Sequence, residues 1–115
     1  MTVADTSLTG TTSDAFLGGR ITIRQPLKGF RAGLDSVLLA ASVSQSATRV
    51  LELGAGAGAI ACCILADLPN AELTLIERQP QMLALLRDNI AANGFAERCE
   101  VVQGDLLDKK LRENS

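Results

Sequence analysis

The segment from Arg49 to Gly58 reads Arg-Val-Leu-Glu-Leu-Gly-Ala-Gly-Ala-Gly, a short apolar run that ends in an acidic residue and three alternating glycines. Glycine readily adopts positive φ angles and lets a ligand approach the backbone closely, so this spacing is typical of a tight turn from a buried strand into a helix. A plain turn of this kind needs fewer glycines. The segment therefore predicts an α/β fold in which the turn holds a nucleotide-like cofactor.

The glycine spacing alone leaves the class of cofactor open. Gly54-x-Gly56-x-x-Ala59 also satisfies the pattern of dinucleotide-binding proteins, which allows alanine at the third position. Glu52 disfavours a dinucleotide, because its carboxylate would lie near a negatively charged pyrophosphate, whereas it suits a cofactor with a cationic or amino-acid end. A fragment of a nicotinamide-dependent oxidoreductase and a non-catalytic interaction module both remain as alternatives.

Two further acidic residues follow the next two predicted strands. An apolar run over residues 73–76 ends in Glu77, 23 residues after Gly54 and near the roughly 20 expected for an acid that binds ribose hydroxyls. A carboxylate suits a cis-diol because each oxygen can accept one O–H bond. A third run over residues 99–103 leads through a glycine to Asp105. Ligands of open parallel sheets bind beyond the carboxyl ends of the strands, so the three acids predict one shared pocket.

These motifs resemble those of a known family. Glu52-Leu-Gly-Ala-Gly-Ala-Gly58, Glu77 and Gly104-Asp105 are similar to the first three motifs of class I S-adenosylmethionine-dependent methyltransferases, and the segment 87–94 is also similar. In that family the glycine loop lies under the methionine and ribose of the cofactor. The acids after the second and third strands bind the ribose hydroxyls and the adenine amino group. The resemblance implies S-adenosylmethionine as the cofactor, held by Glu52, Gly54, Gly56, Gly58, Glu77 and Asp105.

The N-terminal sequence resembles one group within these methyltransferases. Residues 14–26 and 28–39 are similar to bacterial tRNA adenine-N6-methyltransferases that modify valine tRNA, and the similarity extends over roughly residues 14–107. This similarity implies tRNA as the partner and methyl transfer to an adenine N6. It also adds three candidates for the methionine end of the cofactor, Arg31, Gly33 and Asp35.

One motif of this family has no counterpart in the sequence. Methyltransferases of this type that act on adenine or glutamine carry an Asn-Pro-Pro-Tyr-like motif after a fourth strand, where it holds the target amino group and stacks on the base. The prolines here are Pro26, Pro69 and Pro80, and the chain has no Tyr or Trp. We therefore expect a partial Rossmann-like methyltransferase fold that lacks the C-terminal half of the sheet. We also expect no catalytic residue within the 115 residues, and no activity without the rest of a longer enzyme.

Composition argues against several other classes of protein. The net charge of −2 provides no general attraction to nucleic acid, although four basic residues cluster in the N-terminal region, Arg20, Arg24, Lys28 and Arg31. The three cysteines lack metal-ligand spacing and the chain has no histidine, which predicts no metal site. Their odd number indicates free thiols, which predicts a reducing compartment and a cytoplasmic location. The most apolar stretch, residues 50–68, is interrupted by charged residues and glycines, so no membrane span is expected.

The predicted organisation is a disordered N-terminus over residues 1–13, a strand and helix segment over 14–48, a cofactor-binding half-domain over 49–107 and a polar tail over 108–115. Ile21 and Ile23 alternate with polar residues as in a half-buried strand, and Asp35 is a candidate cap for the N-terminal helix. From residue 49 the predicted order is strand, helix, strand, helix and strand. The first of these helices is predicted to stop at residues 68–70, and the second to have Pro80 in its first turn and Gly94 just beyond its end. Asn89 belongs to the inward-facing stripe of the second of these helices.

The order of elements also predicts an exposed sheet edge. Right-handed connections place the second and third strands of the half-domain successively on one side of the first. The other edge of the first strand is then bare beside the apolar residues Val50, Leu51 and Leu53. Parallel sheets rarely tolerate such an edge, which predicts self-association through it.

Overall fold

The computed structural model describes residues 10–27 and 40–104. Within these ranges the chain forms five strands and two α-helices: β1 (Thr11–Phe16), β2 (Ile21–Pro26), β3 (Arg49–Leu53), α1 (Ala59–Asp67), β4 (Glu72–Glu77), α2 (Pro80–Ala92) and β5 (Cys99–Gln103). Short 3-10 turns at Leu17–Gly19 and Ala96–Arg98 precede β2 and β5. The predicted cap Asp35, most of the helix after it and the predicted polar tail lie outside the described residues. Ala40 and Ala41, at the end of that segment, are helical.

The strands β3, β4 and β5 form a parallel sheet in that order. Its register places Val50 beside Leu73 and Leu75 beside Val101. Each connection through a helix moves the chain one strand further from β3, in the predicted order. The observed order confirms the predicted α/β fold and the predicted sequence of strands and helices from residue 49.

One hydrophobic core lies between this sheet and the two helices. Leu73 and Leu75 of β4 belong to it, together with Leu86 and Ile90 of α2. Six of the nine residues of α1 are buried, which explains why the sequence of this helix is apolar on nearly every side. In α2 burial is confined to one stripe, and this stripe contains Asn89 as predicted.

The helix boundaries follow local signals in the sequence. Pro80 occupies the first turn of α2, where the N–H that proline lacks would have no partner within the helix. Gly94, just beyond the end of α2, has a φ of 80°, the left-handed conformation that glycine favours after a helix. The helix α1 ends at Asp67, two residues before Pro69. These ends agree with the prediction.

The strand β2 is half-buried as its alternating sequence predicts. Ile21 and Ile23 are buried in the core, whereas Thr22 and Arg24 are exposed. The strand contacts both α1 and α2. The strand β2 is one half of an N-terminal hairpin over residues 11–26. This hairpin therefore shares its core with the helices and with one face of the parallel sheet.

The partner of β2 is a strand that the sequence did not predict. Thr11 to Phe16 form β1, which pairs antiparallel with β2, so the predicted disorder over residues 1–13 is wrong for residues 11–13. Only Phe16 of β1 is buried, so the strand carries no alternation of apolar residues. Backbone pairing with β2 stabilises it instead, together with a hydrogen bond of 2.8 Å from Gln25 Nε2 to Asp14 Oδ2. Residues 1–9 lie outside the described residues.

The strand β3 lies at an edge of the three-stranded sheet. Among the described strands it pairs only with β4, and the side chains of Leu51 and Leu53 are 47% and 45% exposed. The sheet face opposite the helices forms an open groove of about 970 Å³ that includes Leu51, Ile76 and Val102. The exposed edge is thus confirmed for this part of the chain, whereas self-association stays a prediction. Of the helices in the described ranges, none has the length and apolarity to cross a membrane.

Candidate functional site

The parallel sheet brings the two predicted acids of the described residues to one end. Glu52 lies in β3 beside Leu75 of β4, and Glu77 is the last residue of β4 beside Gln103 of β5. Beyond β5, the Gly104 N–H donates to the Glu77 carbonyl at 3.1 Å. The carboxyl ends of all three strands therefore meet, which is where open parallel sheets bind ligands.

The glycine loop, residues 54–58, makes the turn from β3 into α1. Gly54, Gly56 and Gly58 have φ angles of 71°, 58° and 99°, which L side chains rarely adopt. At Gly58 space is also limited, because a Cβ there would lie 2.7 Å from Leu86 Cδ1 of α2. The predicted need for glycine at these three positions is confirmed by the backbone conformation.

Glu77 holds the glycine loop through its side chain. Its Oε1 accepts a hydrogen bond of 2.8 Å from the Gly56 N–H, and its Oε2 accepts one of 2.9 Å from the Gln79 N–H. The residue is only 6% exposed. A carboxylate oxygen can accept more than one hydrogen bond, so each oxygen retains capacity for a ligand hydroxyl. The strand-end position of Glu77 predicted a role toward a ligand, whereas its second role, in positioning the loop, left no signal in the sequence.

Within the part of the chain that the structure describes, Glu52 is the acid of the site that lacks a hydrogen-bond donor to one of its oxygens. Its Oε1 is buried and has no hydrogen-bond partner among the described residues. Burial raises the pKa of Glu52 from 4.5 to about 7, and the negative charge of Glu77 adds to this shift. A buried carboxylate oxygen without a donor is unfavourable, so this position fits a ligand that brings a hydrogen-bond donor or a positive charge.

A further contact to the loop comes from α2. Asn89, which is 2% exposed, donates from Nδ2 to the Ala57 carbonyl at 2.7 Å. Sequence analysis placed Asn89 on the inward stripe of α2, but the stripe consists otherwise of apolar residues and gave no indication of this bond. The signal that was available is the polar residue itself, since a buried amide needs partners.

Four of the predicted site residues lie outside the described residues, namely Arg31, Gly33, Asp35 and Asp105. Their assignment to the cofactor stays a prediction. Within residues 10–27 and 40–104, no group of three or more His, Cys, Asp or Glu side chains is suited to hold a metal ion.

Residues 31–114 match the family model of the methyltransferase small domain. The chain belongs to this family. The match covers the glycine loop and both acidic strand ends, so it confirms the predicted methyltransferase class and argues against the alternative of a nicotinamide-dependent oxidoreductase.

Curated relatives of known name are similar over parts of their length. The tRNA1(Val) (adenine(37)-N6)-methyltransferase of Porphyromonas gingivalis is 33% identical over 104 residues, which are 86% of this chain and 41% of that protein. The release factor glutamine methyltransferase of Deinococcus radiodurans is 41% identical over 59 residues, 51% of this chain and 20% of that protein. The chain thus spans less than half the length of these relatives.

Solved structures confirm the fold. Pyrococcus horikoshii TYW2 in complex with MeSAdo has a TM-score of 0.71 at 22% identity, over 85% of this chain and 37% of that one. M. jannaschii TYW2 in complex with AdoMet also has a TM-score of 0.71, at 17% identity, over 85% of this chain and 45% of that one. At these identities the likeness establishes a Rossmann-like methyltransferase fold.

The raised pKa of Glu52 predicts that Glu52→Gln changes the pH dependence of stability. Because the folded chain holds the Glu52 proton more tightly than the unfolded chain, stability falls as pH rises from 4.5 to about 7. Glutamine does not titrate, so the variant avoids this loss. The free energy of unfolding of the variant, relative to that of wild type, therefore increases with pH, by up to about 3 kcal/mol above pH 7. Urea unfolding at intervals from pH 4.5 to 8 measures the difference.

The control is Glu100→Gln, which removes an exposed carboxyl from β5 and so reports the effect of one lost negative charge. A stability difference between Glu52→Gln and wild type that stays constant over this pH range would contradict the argument.

Proposed function

We propose that this chain binds S-adenosylmethionine and forms the cofactor-binding part of a methyltransferase that modifies N6 of an adenine in tRNA. One observation carries the cofactor proposal. A glycine loop, a carboxylate hydrogen-bonded to that loop and a buried carboxylate oxygen without a donor meet at the same end of a parallel sheet. The two TYW2 structures of the same fold, solved with MeSAdo and AdoMet, support the same class of cofactor here.

In this proposal the two acids hold different parts of the cofactor. Glu77 accepts the ribose hydroxyls with the capacity that its oxygens retain beside the Gly56 and Gln79 amides. Glu52 receives the positively charged amino-acid end, since its buried oxygen lacks a donor. The sulfonium of the bound cofactor makes its methyl group electrophilic. The chain itself contributes binding and orientation of this methyl group.

The family resemblance supplies the remaining roles in the proposal. Asp105 meets the adenine amino group of the cofactor, and Arg31, Gly33 and Asp35 lie at its methionine end. The proposal assigns no catalytic residue within the 115 residues, because the motif that holds the target amine in such enzymes has no counterpart in this sequence.

The tRNA part of the proposal is supported by the name of the P. gingivalis relative and by the basic residues of the hairpin. Arg24 is exposed on β2. Arg20 is exposed too, although it also donates to the Ala66 carbonyl at 2.7 Å and forms an ion pair of 3.3 Å with Asp67. Among the described residues the Arg24 guanidinium makes one hydrogen bond, from Nη2 to Thr11 Oγ1 at 3.1 Å, and no ion pair. Its charge is therefore less engaged than that of Arg20, which makes Arg24 the better candidate in the described residues for contact with a phosphate backbone.

Location and assembly complete the proposal. Cys62, Cys63 and Cys99 are free thiols, in keeping with a reducing compartment, and we infer a cytoplasmic location. Self-association through the edge of β3 is inferred from the exposed Leu51 and Leu53, since an unpaired strand edge with apolar side chains favours pairing with another chain.

Titration with S-adenosylhomocysteine tests the cofactor proposal. We expect binding in isothermal calorimetry, and we expect Glu77→Ala to weaken it by about 1–3 kcal/mol because buried groups lose their hydrogen-bond partners. Glu72→Ala is the matched control, since Glu72 is exposed at the opposite end of the same strand. Binding of NADH without any response to S-adenosylhomocysteine would contradict the proposed cofactor. Equal affinity of Glu77→Ala and wild type would contradict the role of Glu77.

We further predict that the 115-residue chain does not methylate tRNA on its own. Methyl transfer depends on holding the target amine in line with the methyl group, and this orientation contributes several kcal/mol that bound cofactor alone does not supply. The assay is transfer of labelled methyl groups to unmodified total tRNA at low salt, with the P. gingivalis enzyme as positive control. A turnover of about 1 per second, which is ordinary for enzymes, would show that the chain is self-sufficient.

A further inference from the structure

Two asparagine side chains of α2 bind alternate residues of β2. Asn93 accepts from the Thr22 N–H at 3.1 Å and donates to the Thr22 carbonyl at 2.9 Å. Asn89 does the same at Arg24, accepting from its N–H at 2.9 Å and donating to its carbonyl at 3.0 Å. Alternate residues of a strand direct their backbone groups to the same edge, so the two amides pair with this edge as a neighbouring strand would.

Helix and strand geometry make this pairing possible. Residues four apart on a helix are separated by about 6 Å along the axis, at a rise of roughly 1.5 Å per residue. Residues two apart on a strand are separated by about 6.6 Å, at a rise of roughly 3.3 Å per residue. The spacing of Asn89 and Asn93 thus matches that of Thr22 and Arg24, and the hairpin is attached to α2 at two successive points.

Asn89 makes one bond that Asn93 does not. Its Nδ2 also donates to the Ala57 carbonyl in the glycine loop at 2.7 Å, so a single buried side chain joins the hairpin, α2 and the loop. The third bond of Asn93 goes instead to the Asn89 carbonyl within the same helix, at 2.8 Å. Only the first of the two asparagines therefore connects the hairpin with the candidate cofactor site.

The bond from Asn89 acts at the centre of the loop. Ala57 lies between Gly56, whose N–H is held by Glu77, and Gly58, which precedes α1. Without Asn89 the Ala57 carbonyl, on a residue that is 8% exposed, loses its donor, and the observed loop conformation becomes less favourable. The loop conformation and the position of the hairpin thus depend on the same side chain.

We propose that Asn89 is a positioning residue that couples cofactor binding at the glycine loop to the placement of the N-terminal hairpin. The inference rests on the proposed function, because it requires that the loop bind S-adenosylmethionine or its product. A ligand that stabilises the loop stabilises the bond between Asn89 and Ala57, and with it the attachment of β2. Coupling of this kind is reciprocal, so loss of the bonds between Asn89 and the hairpin weakens ligand binding. The coupled hairpin carries the exposed basic residues Arg20 and Arg24.

Binding of S-adenosylhomocysteine to two matched variants tests the coupling. Asn89→Ala and Asn93→Ala each remove three side-chain hydrogen bonds from the same helix, and two of the three in each case go to the hairpin. We expect the affinity to fall about 10-fold or more in Asn89→Ala and to stay within about 2-fold in Asn93→Ala. Far-UV circular dichroism establishes that both variants are folded. Equal affinities in the two variants would overturn the proposal.

Hydrogen exchange of the wild-type chain provides a second test that needs no variant. Saturating S-adenosylhomocysteine is expected to slow exchange of the Thr22 and Arg24 amides, which donate to the two asparagines, as well as that of Gly56. Slower exchange in the loop with unchanged exchange in the hairpin would overturn the proposal, even where Asn89→Ala does not fold. Absence of binding to wild type would overturn the proposed function and this inference together, whereas binding without these differences overturns the inference alone.

Discussion

The turn after β3 depends on its attachment to the end of β4. The Ile76 carbonyl accepts hydrogen bonds from both the Gly54 and Ala55 amides, at 2.8 and 3.0 Å, and the Glu77 carboxylate accepts from the Gly56 amide. Three successive N–H groups of the loop therefore end on two adjacent residues of the neighbouring strand. A shift of one residue in the β3–β4 register would separate these groups, so the loop can form only on a correctly paired sheet.

The two acids of the site differ in what surrounds them. The Glu77 carboxylate receives two backbone amides, whereas one oxygen of Glu52 is buried without a donor. The nearby thiol of Cys62 provides no compensating charge. Its pKa is raised to about 12, chiefly by burial, with smaller contributions from Cys99, Cys63 and Glu52. A ligand that donates to this oxygen would thus lower the free-energy cost of burying Glu52, and a cationic group would lower it more than a neutral one.

Local sequence patterns were sufficient to predict the elements around the loop, because their causes are local. Three features can each be recognised from a few neighbouring residues. They are the glycines with positive φ angles, the proline in the first turn of α2, and the alternation of Ile21 and Ile23 with polar residues. The strand β1 has no such local pattern, since it is stabilised by backbone pairing and its residues are mostly polar.

The contacts of Glu77 and Asn89 could not be predicted for a related reason. The Glu77 side chain binds Gly56, 21 residues earlier, and Asn89 binds Ala57, 32 residues earlier. Neither contact produces a periodic pattern, so each becomes visible only when the fold brings the elements together. The sequence indicated that both side chains are placed inward or at a strand end, but not which backbone groups they bind.

The loop is constrained further by the way in which α1 is held at its other end. The guanidinium of Arg98, just before β5, donates to the carbonyls of Leu65, Leu68 and Ala71 at 2.7 to 3.1 Å. These include carbonyls at the end of the helix, which lack partners within it. The helix α1 is thus bound to this arginine at its C-terminal end and follows the glycine loop at its N-terminal end. The loop conformation is therefore held directly by hydrogen bonds from β4 and α2, and the helix that follows it is held by the turn before β5, so the site depends on more of the domain than the glycine motif alone.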